Sequence, residues 1–387
     1  MIERAFQLGW AGAVTKSVSL AQDLPDHSLS PRFGRISRGG SSLTAPKLIG
    51  MTNIDFRIDK SVQDTLDDYA RVKNTYPNKF LAVSIKAEYE QAQWHKLASL
   101  ATATGADAIE LCLSCPDPSG EEGCCTVGSI GQNRQAVKEV VTWVWEVTPL
   151  PVMVKLSGNV TSILTTGLAA QEAGAAALTA INTLRSITGI NLATSTPLPT
   201  ISGRSTVAGL SGPAIKPIAQ FCVYELGKEK TIRLPISAAG GITCAQDAME
   251  FLLLGATTVQ VATEIMYEGF EIIEDLKDGL QRFMAEHGFE TVKDLVGTAL
   301  PKFTQSSQDL SRQQQLKSNV DPDECIGCGR CYVACRDGAY QAISFSAERT
   351  VQIDSEKCVG CGLCKLTCPV PAAIYFTAGE ERAEGLF

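Results

Sequence analysis

Along residues 1–300, short apolar runs alternate with longer stretches whose apolar positions recur at helical spacing. The short runs fall at residues 12–19, 47–53, 80–86, 108–114, 151–156, 176–182, 235–239 and 258–263. They are rich in Val, Ile, Leu and Ala, the pattern of strands buried on both faces. Helical periodicity marks residues 91–104, 133–146, 161–173, 212–226 and 244–254 between them. Strand and helix in alternation predict a parallel sheet under helical cover, either a barrel or an open doubly wound sheet.

Two features favour the barrel. Polar or reactive residues close successive apolar runs: Lys16, Ser114 with Cys115, Lys155, Asn182 with Thr183, and Gly240 with Gly241. Barrel enzymes gather their chemistry on that C-terminal face. No GxGxxG follows the first run, so a Rossmann dinucleotide unit has no support. The expected fold is therefore α/β, a (β/α)8 TIM barrel over residues 1–300. The polar segment 301–320, PKFTQSSQDLSRQQQLKSNV, predicts a linker and leaves 321–387 as a small second domain.

Composition narrows the function. Of 387 residues, 44% are hydrophobic, enough to bury a sizeable core. With 42 acidic against 34 basic side chains the net charge is -8, and no basic run supplies a nucleic-acid footprint. No apolar stretch approaches the roughly 18 residues that a membrane-spanning helix needs. Glu3 and Lys16 around a modest apolar patch make a poor signal peptide, so the cytoplasm is the expected location.

The chain has 14 cysteines, eight of them between Cys325 and Cys368, and that cluster decides half of the reading. Residues 325–335 read CIGCGRCYVAC and residues 358–369 read CVGCGLCKLTCP. In two-cluster ferredoxins each CxxCxxC run gives three thiolates to one cubane, and the fourth ligand comes from the other run. That rule assigns Cys325, Cys328, Cys331 and Cys368 to one 4Fe-4S cluster and Cys358, Cys361, Cys364 and Cys335 to the other. Zinc sites group cysteines in pairs and fit the spacing less well. Arg336 rather than proline follows Cys335, a small departure. A small α+β two-cluster ferredoxin-like domain is expected, and such a module moves single electrons.

Several ordered motifs then carry a family resemblance. LCLSCP at 111–116, AVTKS at 13–17, VKLSGN at 154–159, INT at 181–183, GLSGPAIKP at 209–217 and AAGGI at 238–242 together resemble the dihydroorotate and dihydropyrimidine dehydrogenase superfamily. With the ferredoxin-like tail, the chain is similar over nearly its whole length to the dihydropyrimidine dehydrogenase branch. The resemblance implies FMN over the barrel mouth. Lys155 matches the family lysine that stabilises charge near flavin N1 and O2, and Lys16 with Ser17 matches the other flavin-contacting pair. Gly212, Ala239, Gly240, Gly241, Ala262 and Thr263 match the cofactor-holding loops, where glycines let backbone N–H groups approach a phosphate. Cys115 matches the catalytic acid/base that handles a proton at the pyrimidine C5=C6 bond. Asn53, Asn182 and Thr183 match substrate contacts, accompanied by Leu113 and Ser114. Taken singly, each has a plainer reading: strand-end lysines, turn glycines and asparagines, a buried small cysteine.

The implied activity interconverts a pyrimidine and its 5,6-dihydro form. Electrons would come from NAD(P)H through a separate FAD-binding reductase subunit and the two clusters, within a homodimer or heterotetramer. Two departures bear on this. Cys112 stands where relatives carry asparagine, and Lys86 adds a cation where they are commonly apolar, which suits an anionic substrate. Relatives also begin earlier, with the first barrel strand, and by family alignment 47–53 is a side hairpin. Seven barrel strands then remain, and because an open barrel exposes unpaired edges, a start upstream of Met1 is the expectation. The alternatives are a dihydroorotate dehydrogenase-like enzyme and a non-catalytic electron-transfer subunit with a degenerate barrel. His27, His95 and His287 lie outside every strand-end motif, Cys124 and Cys125 fall in a segment resembling the family's mobile lid, and Cys222 and Cys244 read as packing residues.

Overall fold

The computed structural model describes residues 1–20, 29–38, 47–55, 58–114, 127–311, 315–379 and 381–383. The chain divides into two compact units, Met1–Phe303 and Thr304–Phe387.

In the larger unit seven parallel strands form one curled sheet, in the order Gly12–Val14, Phe80–Ile85, Ala108–Cys112, Val152–Leu156, Ala177–Ala180, Ile236–Ala239 and Thr258–Gln260. This is a (β/α)8-type barrel sheet with seven of the eight strands; among the described residues its two edge strands do not pair with each other. Alternation along each strand separates two faces. Val83, Ile85, Ile109, Leu111, Val154 and Leu178 meet the helices, whereas Ala82, Ala108, Met153, Val14 and Ala177 pack together on the inner face.

The helices bury one stripe each. In Gln91–Ala103 the stripe is Trp94, Leu97, Ala98 and Ala101, and the Trp94 indole N–H donates to the Glu88 carbonyl at 2.9 Å. Arg134–Trp145 starts at Asn133, whose side-chain oxygen accepts from the Gln135 and Ala136 N–H groups, and buries Val137, Val140, Val141 and Val144. Losing a fully buried side chain of this kind costs about 2–5 kcal/mol.

The strand Lys47–Asn53 lies outside the barrel sheet. It sits in a four-stranded antiparallel sheet between Phe33–Arg38 and Ala208–Ser211, with Leu184–Ser186 beyond.

The smaller unit has a three-stranded antiparallel sheet of Leu316–Val320, Ile374–Ala378 and Glu381–Ala383, a hairpin of Ile343–Phe345 with Val351–Ile353, and the helices Arg330–Gly338 and Leu363–Thr367. The segment 301–320, read as linker, is therefore shorter than expected. Phe303 packs on Tyr224 of the larger unit with ring centroids 4.7 Å apart, and residues 316–320 form a strand of the smaller one. The polar look of LKSNV hid that strand, because its most buried residue is Ser318, at 3% exposure.

Candidate active site and cluster sites

The first barrel strand extends past Val14 through Thr15 to a bridge between Val18 and Ile85. Thr15 Oγ1 accepts from the Ser84 N–H at 3.0 Å, and Ser17 and Ser84 share a hydroxyl hydrogen bond of 2.8 Å. Lys16, between them, reaches solvent, but surrounding protein lowers its pKa, first by desolvation and then by repulsion from Arg32 and Lys86, with Asp55 and Asp59 acting the other way. A cation-rich strand-end group thus gathers at this side of the sheet, and Lys86 belongs to it.

A polar layer lines the inner face. Glu110 is fully buried; its Oε2 accepts from the Thr179 hydroxyl at 2.9 Å, and Lys155 Nζ lies 3.8 Å from Oε1. Gln260 donates to Ser237 Oγ at 2.9 Å, and Thr258 donates to the same hydroxyl at 2.9 Å. The register places Cys112 beside Lys155 and Lys155 beside Thr179. Sequence reasoning did not single out Glu110. The signal was available: Glu110, Cys112 and Ser114 alternate on one face of IELCLS, so a charge at 110 belongs with the residues above it.

Asn182 joins that face. Its side-chain N–H groups donate to Ser114 Oγ at 3.1 Å, to the Ser114 carbonyl at 3.2 Å and to Cys112 Sγ at 3.5 Å, while its Oδ1 accepts from the Thr183 N–H at 2.8 Å. Cys112 therefore sits directly against one of the expected substrate-binding amides. Leu113 is fully buried toward the helices, so its side chain faces away from this cluster. Thr183 Oγ1 is buried without a hydrogen-bond partner among the described residues. Asn53 ends the central strand of the antiparallel sheet, where its Oδ1 accepts from the Asp55 N–H at 2.9 Å. Cys115, Cys124, Cys125 and His27 lie outside the described residues. His95 and His287 are on helices, His287 exposed at a helix end.

Four loops meet around glycine. Gly212 has φ +86, and a Cβ there would lie 3.3 Å from Gly50 Cα and from Thr263 Cγ2. Gly241 has φ +74, and a Cβ would come within 2.6 Å of Lys216 Cβ and 3.0 Å of the Gly212 carbonyl oxygen. Ala239 ends the sixth barrel strand and leads into this pair, and Ala262 leads into the short helix Thr263–Glu268. These close-packed loops leave little room for a side chain at Gly212 or Gly241, and bare backbone of this kind is what a phosphate group needs. Beside it Lys216 is held by Asp247 and by Glu250 at 2.6 Å, while the Thr243 N–H and hydroxyl donate to Asp247 Oδ2 at 2.8 and 2.7 Å. The glycine cradle, Lys155 and the orphaned Thr183 hydroxyl fit a flavin phosphate and ring.

In the smaller unit Cys335, Cys358, Cys361 and Cys364 line one pocket. Cys325, Cys328, Cys331 and Cys368 line another, so the four thiols of each quartet share a common pocket. Each quartet mixes the two CxxCxxC runs, so the residues fit a cubane. Gly327 at φ +61 and Gly360 at φ +68 turn the two loops, and a Cβ at Gly360 would strike the Leu316 carbonyl oxygen at 2.2 Å. Ser318 Oγ lies 3.4 Å from Cys364 Sγ.

Comparison with known proteins gives concordant results. The family model described as dihydroorotate dehydrogenase matches residues 49–284, and that described as 4Fe-4S dicluster domain matches residues 318–376. The chain is 37% identical over 348 residues to the NAD-dependent dihydropyrimidine dehydrogenase subunit PreA of Escherichia coli, covering 89% of this chain and 81% of that protein. It is 32% identical over 319 residues to the chloroplastic dihydropyrimidine dehydrogenase (NADP(+)) of Arabidopsis thaliana, covering 81% and 74%. It is 35% identical over 303 residues to the catalytic subunit of dihydroorotate dehydrogenase B (NAD(+)) of Pyrococcus abyssi, covering 78% and 90%.

Proposed function

Because the chain belongs to the dihydroorotate dehydrogenase family of oxidoreductases and carries a 4Fe-4S dicluster domain, we propose that it interconverts a pyrimidine such as uracil or thymine with its 5,6-dihydro form. The observation that carries this reading is the presence, in one chain, of close-packed glycine loops and of Lys155 and Asn182 on the same barrel sheet, together with two four-cysteine pockets. Gly212, Gly240, Gly241 and Thr263 would hold the phosphate of FMN, and Lys16, Ser17 and Lys155 its ring. Bound there, FMN supplies hydride exchange with one carbon of the substrate double bond. The two 4Fe-4S clusters supply single-electron transfer.

The remaining work falls to side chains. Cys115 gives or takes the proton at the second ring carbon; a thiol with an ordinary pKa of about 8.5 can serve in either direction near neutrality. Asn182 presents an amide to the ring edge, already oriented by Ser114 and the Thr183 N–H, with the Thr183 hydroxyl and Asn53 as further polar contacts. Lys155 places positive charge where negative charge accumulates. A separate subunit that binds FAD and takes electrons from NAD(P)H completes the enzyme, in keeping with the Escherichia coli relative being named as one subunit of an NAD-dependent dehydrogenase.

The group formed by Lys16, Arg32 and Lys86 favours a second substrate, a ring bearing an acid such as dihydroorotate. Cys112 in place of an amide removes a donor and an acceptor that would read the uracil or thymine edge. The deciding experiment is anaerobic reconstitution followed by flavin, iron and sulfide analysis and a substrate panel with an artificial electron donor. Uracil or thymine turnover supports the first reading and dihydroorotate turnover the second. Full iron content without flavin uptake would instead mark an electron-transfer subunit and refute both.

A further inference from the structure

We propose that Glu110 is the counter-charge that positions Lys155 and sets how much positive field that lysine presents at the barrel mouth. Glu110 is 0% exposed in mid-strand, where an ionised carboxylate is expensive unless it is paired. Packing alone does not explain it. The neighbouring inner-face polar groups satisfy one another without a charge: Gln260 donates to Ser237 at 2.9 Å and reaches Thr179 Oγ1 at 3.4 Å. A glutamine would fill the same space and accept the same Thr179 hydrogen bond. What glutamine could not supply is the negative charge opposite Lys155.

The geometry gives the carboxylate one structural anchor and one outlet. Thr179 fixes Oε2 at 2.9 Å, whereas Oε1 is buried without a hydrogen-bond partner among the described residues and has Lys155 Nζ at 3.8 Å. At that separation the ammonium is attracted without being captured in a close hydrogen bond. Lys155 keeps 23% of its side chain exposed and lies in register with Cys112 and Thr179. It therefore lies within attraction of a buried anion while part of its side chain reaches solvent. Glu110 touches no reacting atom in this scheme; it is a positioning residue, acting through Lys155.

The inference rests on the flavin reading for one of its two measurements only. The first uses the purified full chain and needs no flavin: Lys155 is trace-labelled with acetic anhydride at neutral pH and read by peptide mass spectrometry against exposed Lys138. Removing an opposite charge frees the amine, so Glu110→Gln is expected to label Lys155 roughly tenfold faster or more. Thr179→Val, which disturbs the same packing but keeps the carboxylate, should leave the rate at the wild-type value. An unchanged rate in Glu110→Gln, or equal acceleration in both variants, overturns the proposal.

The second measurement is the midpoint potential of bound FMN at neutral pH. Loss of a nearby negative charge in Glu110→Gln should shift it upward, and Thr179→Val should not; an unchanged or lowered potential overturns the proposal. If Glu110→Gln fails to fold, Glu110→Asp retains the charge on a shorter arm, and its labelling rate should fall between wild type and fully exposed lysine. A rate equal to wild type there is also refuting. A chain that takes up no FMN defeats the functional reading alone, since the labelling still decides the role of Glu110.

Discussion

Gly241→Ala separates backbone conformation from steric demand at the glycine cradle. Two terms act on it. An L-residue at φ +74 pays about 1–2 kcal/mol for the left-handed conformation, less about 0.4–1 kcal/mol recovered from the stiffer unfolded chain. The new Cβ would also lie 2.6 Å from Lys216 Cβ, 2.9 Å from Lys216 N and 3.0 Å from the Gly212 carbonyl oxygen. Two of those atoms are backbone and cannot swing aside, so overpacking adds about 1–3 kcal/mol. Gly105 is the matched control, with φ +75 and nothing within 4 Å of its would-be Cβ. Gly105→Ala should therefore cost about 1 kcal/mol and Gly241→Ala about 2–4 kcal/mol. Tryptophan fluorescence during urea unfolding reports the larger unit alone, since all 4 tryptophans, Trp10, Trp94, Trp143 and Trp145, lie within it. Flavin titration of the same variants should show weakened FMN binding for Gly241→Ala only. Equal destabilisation of the two variants, with unchanged flavin affinity in both, would refute the cradle argument.

Lys73 donates to both carboxylate oxygens of Asp107, at 2.8 and 2.7 Å, and to the Pro77 and Lys79 carbonyls at 3.0 Å, with only 12% of its side chain exposed. Lys73→Met should cost about 2–3 kcal/mol by the same unfolding assay, and a cost near zero would mean that the pair is idle. Desolvation pushes the Asp247 pKa up, but hydrogen bonds from Lys216 and Thr243 outweigh it and hold the carboxyl below its ordinary 3.8. Its contribution to stability is present above pH 3.8 and lost as pH falls through the lower folded value, so Asp247→Asn should flatten the acid limb of the stability curve there and leave its shape unchanged above it. Lys216 has its pKa raised by the same partners against desolvation, so its share persists below pH 10.5 and is lost as pH rises through the folded value. Burial, with Glu225 adding to it, pushes the Cys222 thiol up to about 11. Iodoacetamide near neutral pH should therefore modify exposed Cys244 long before Cys222, and the reverse order would contradict the packing. Ser318→Ala removes a hydroxyl 3.4 Å from Cys364 Sγ; as a cluster ligand that sulfur accepts the hydrogen bond. Potentiometric titration followed by electron paramagnetic resonance should show one cluster lowered by about 40 mV, the equivalent of ~1 kcal/mol, and the other unmoved. Equal shifts in both clusters would place Ser318 elsewhere in the network.

The barrel was legible because doubly buried strands leave unmixed apolar runs, and all eight runs read from the sequence are strands in the structure. Seven enter the parallel sheet, and Lys47–Asn53 enters the antiparallel one. Apolar content could not make that distinction, since KLIGMTN, with three apolar side chains in seven, is no less apolar than the barrel run GAVTKSVS, with three in eight. The helix Val62–Thr75 escaped notice because its polar face dominates, and its anchor is the Ser61 cap on the Asp64 N–H. The short strands Leu184–Ser186 and Ala208–Ser211 are specified by pairing partners far along the chain, which a local window cannot see. Cysteine spacing named both quartets because three ligands of each cluster lie within seven residues of one another. Glu110 was missed because a single charge in an apolar run reads as an interruption until its inward facing is known.

The pairing of Met51 with Ser211 spans 160 positions along the chain. During synthesis at roughly 5–20 residues per second, one edge of KLIGMTN leaves the ribosome some 8–32 s before its partner exists. For that interval the nascent polypeptide carries an apolar, half-satisfied β-edge, so growth temperature and chaperone supply should govern the yield of native protein more than the stability of the finished molecule does.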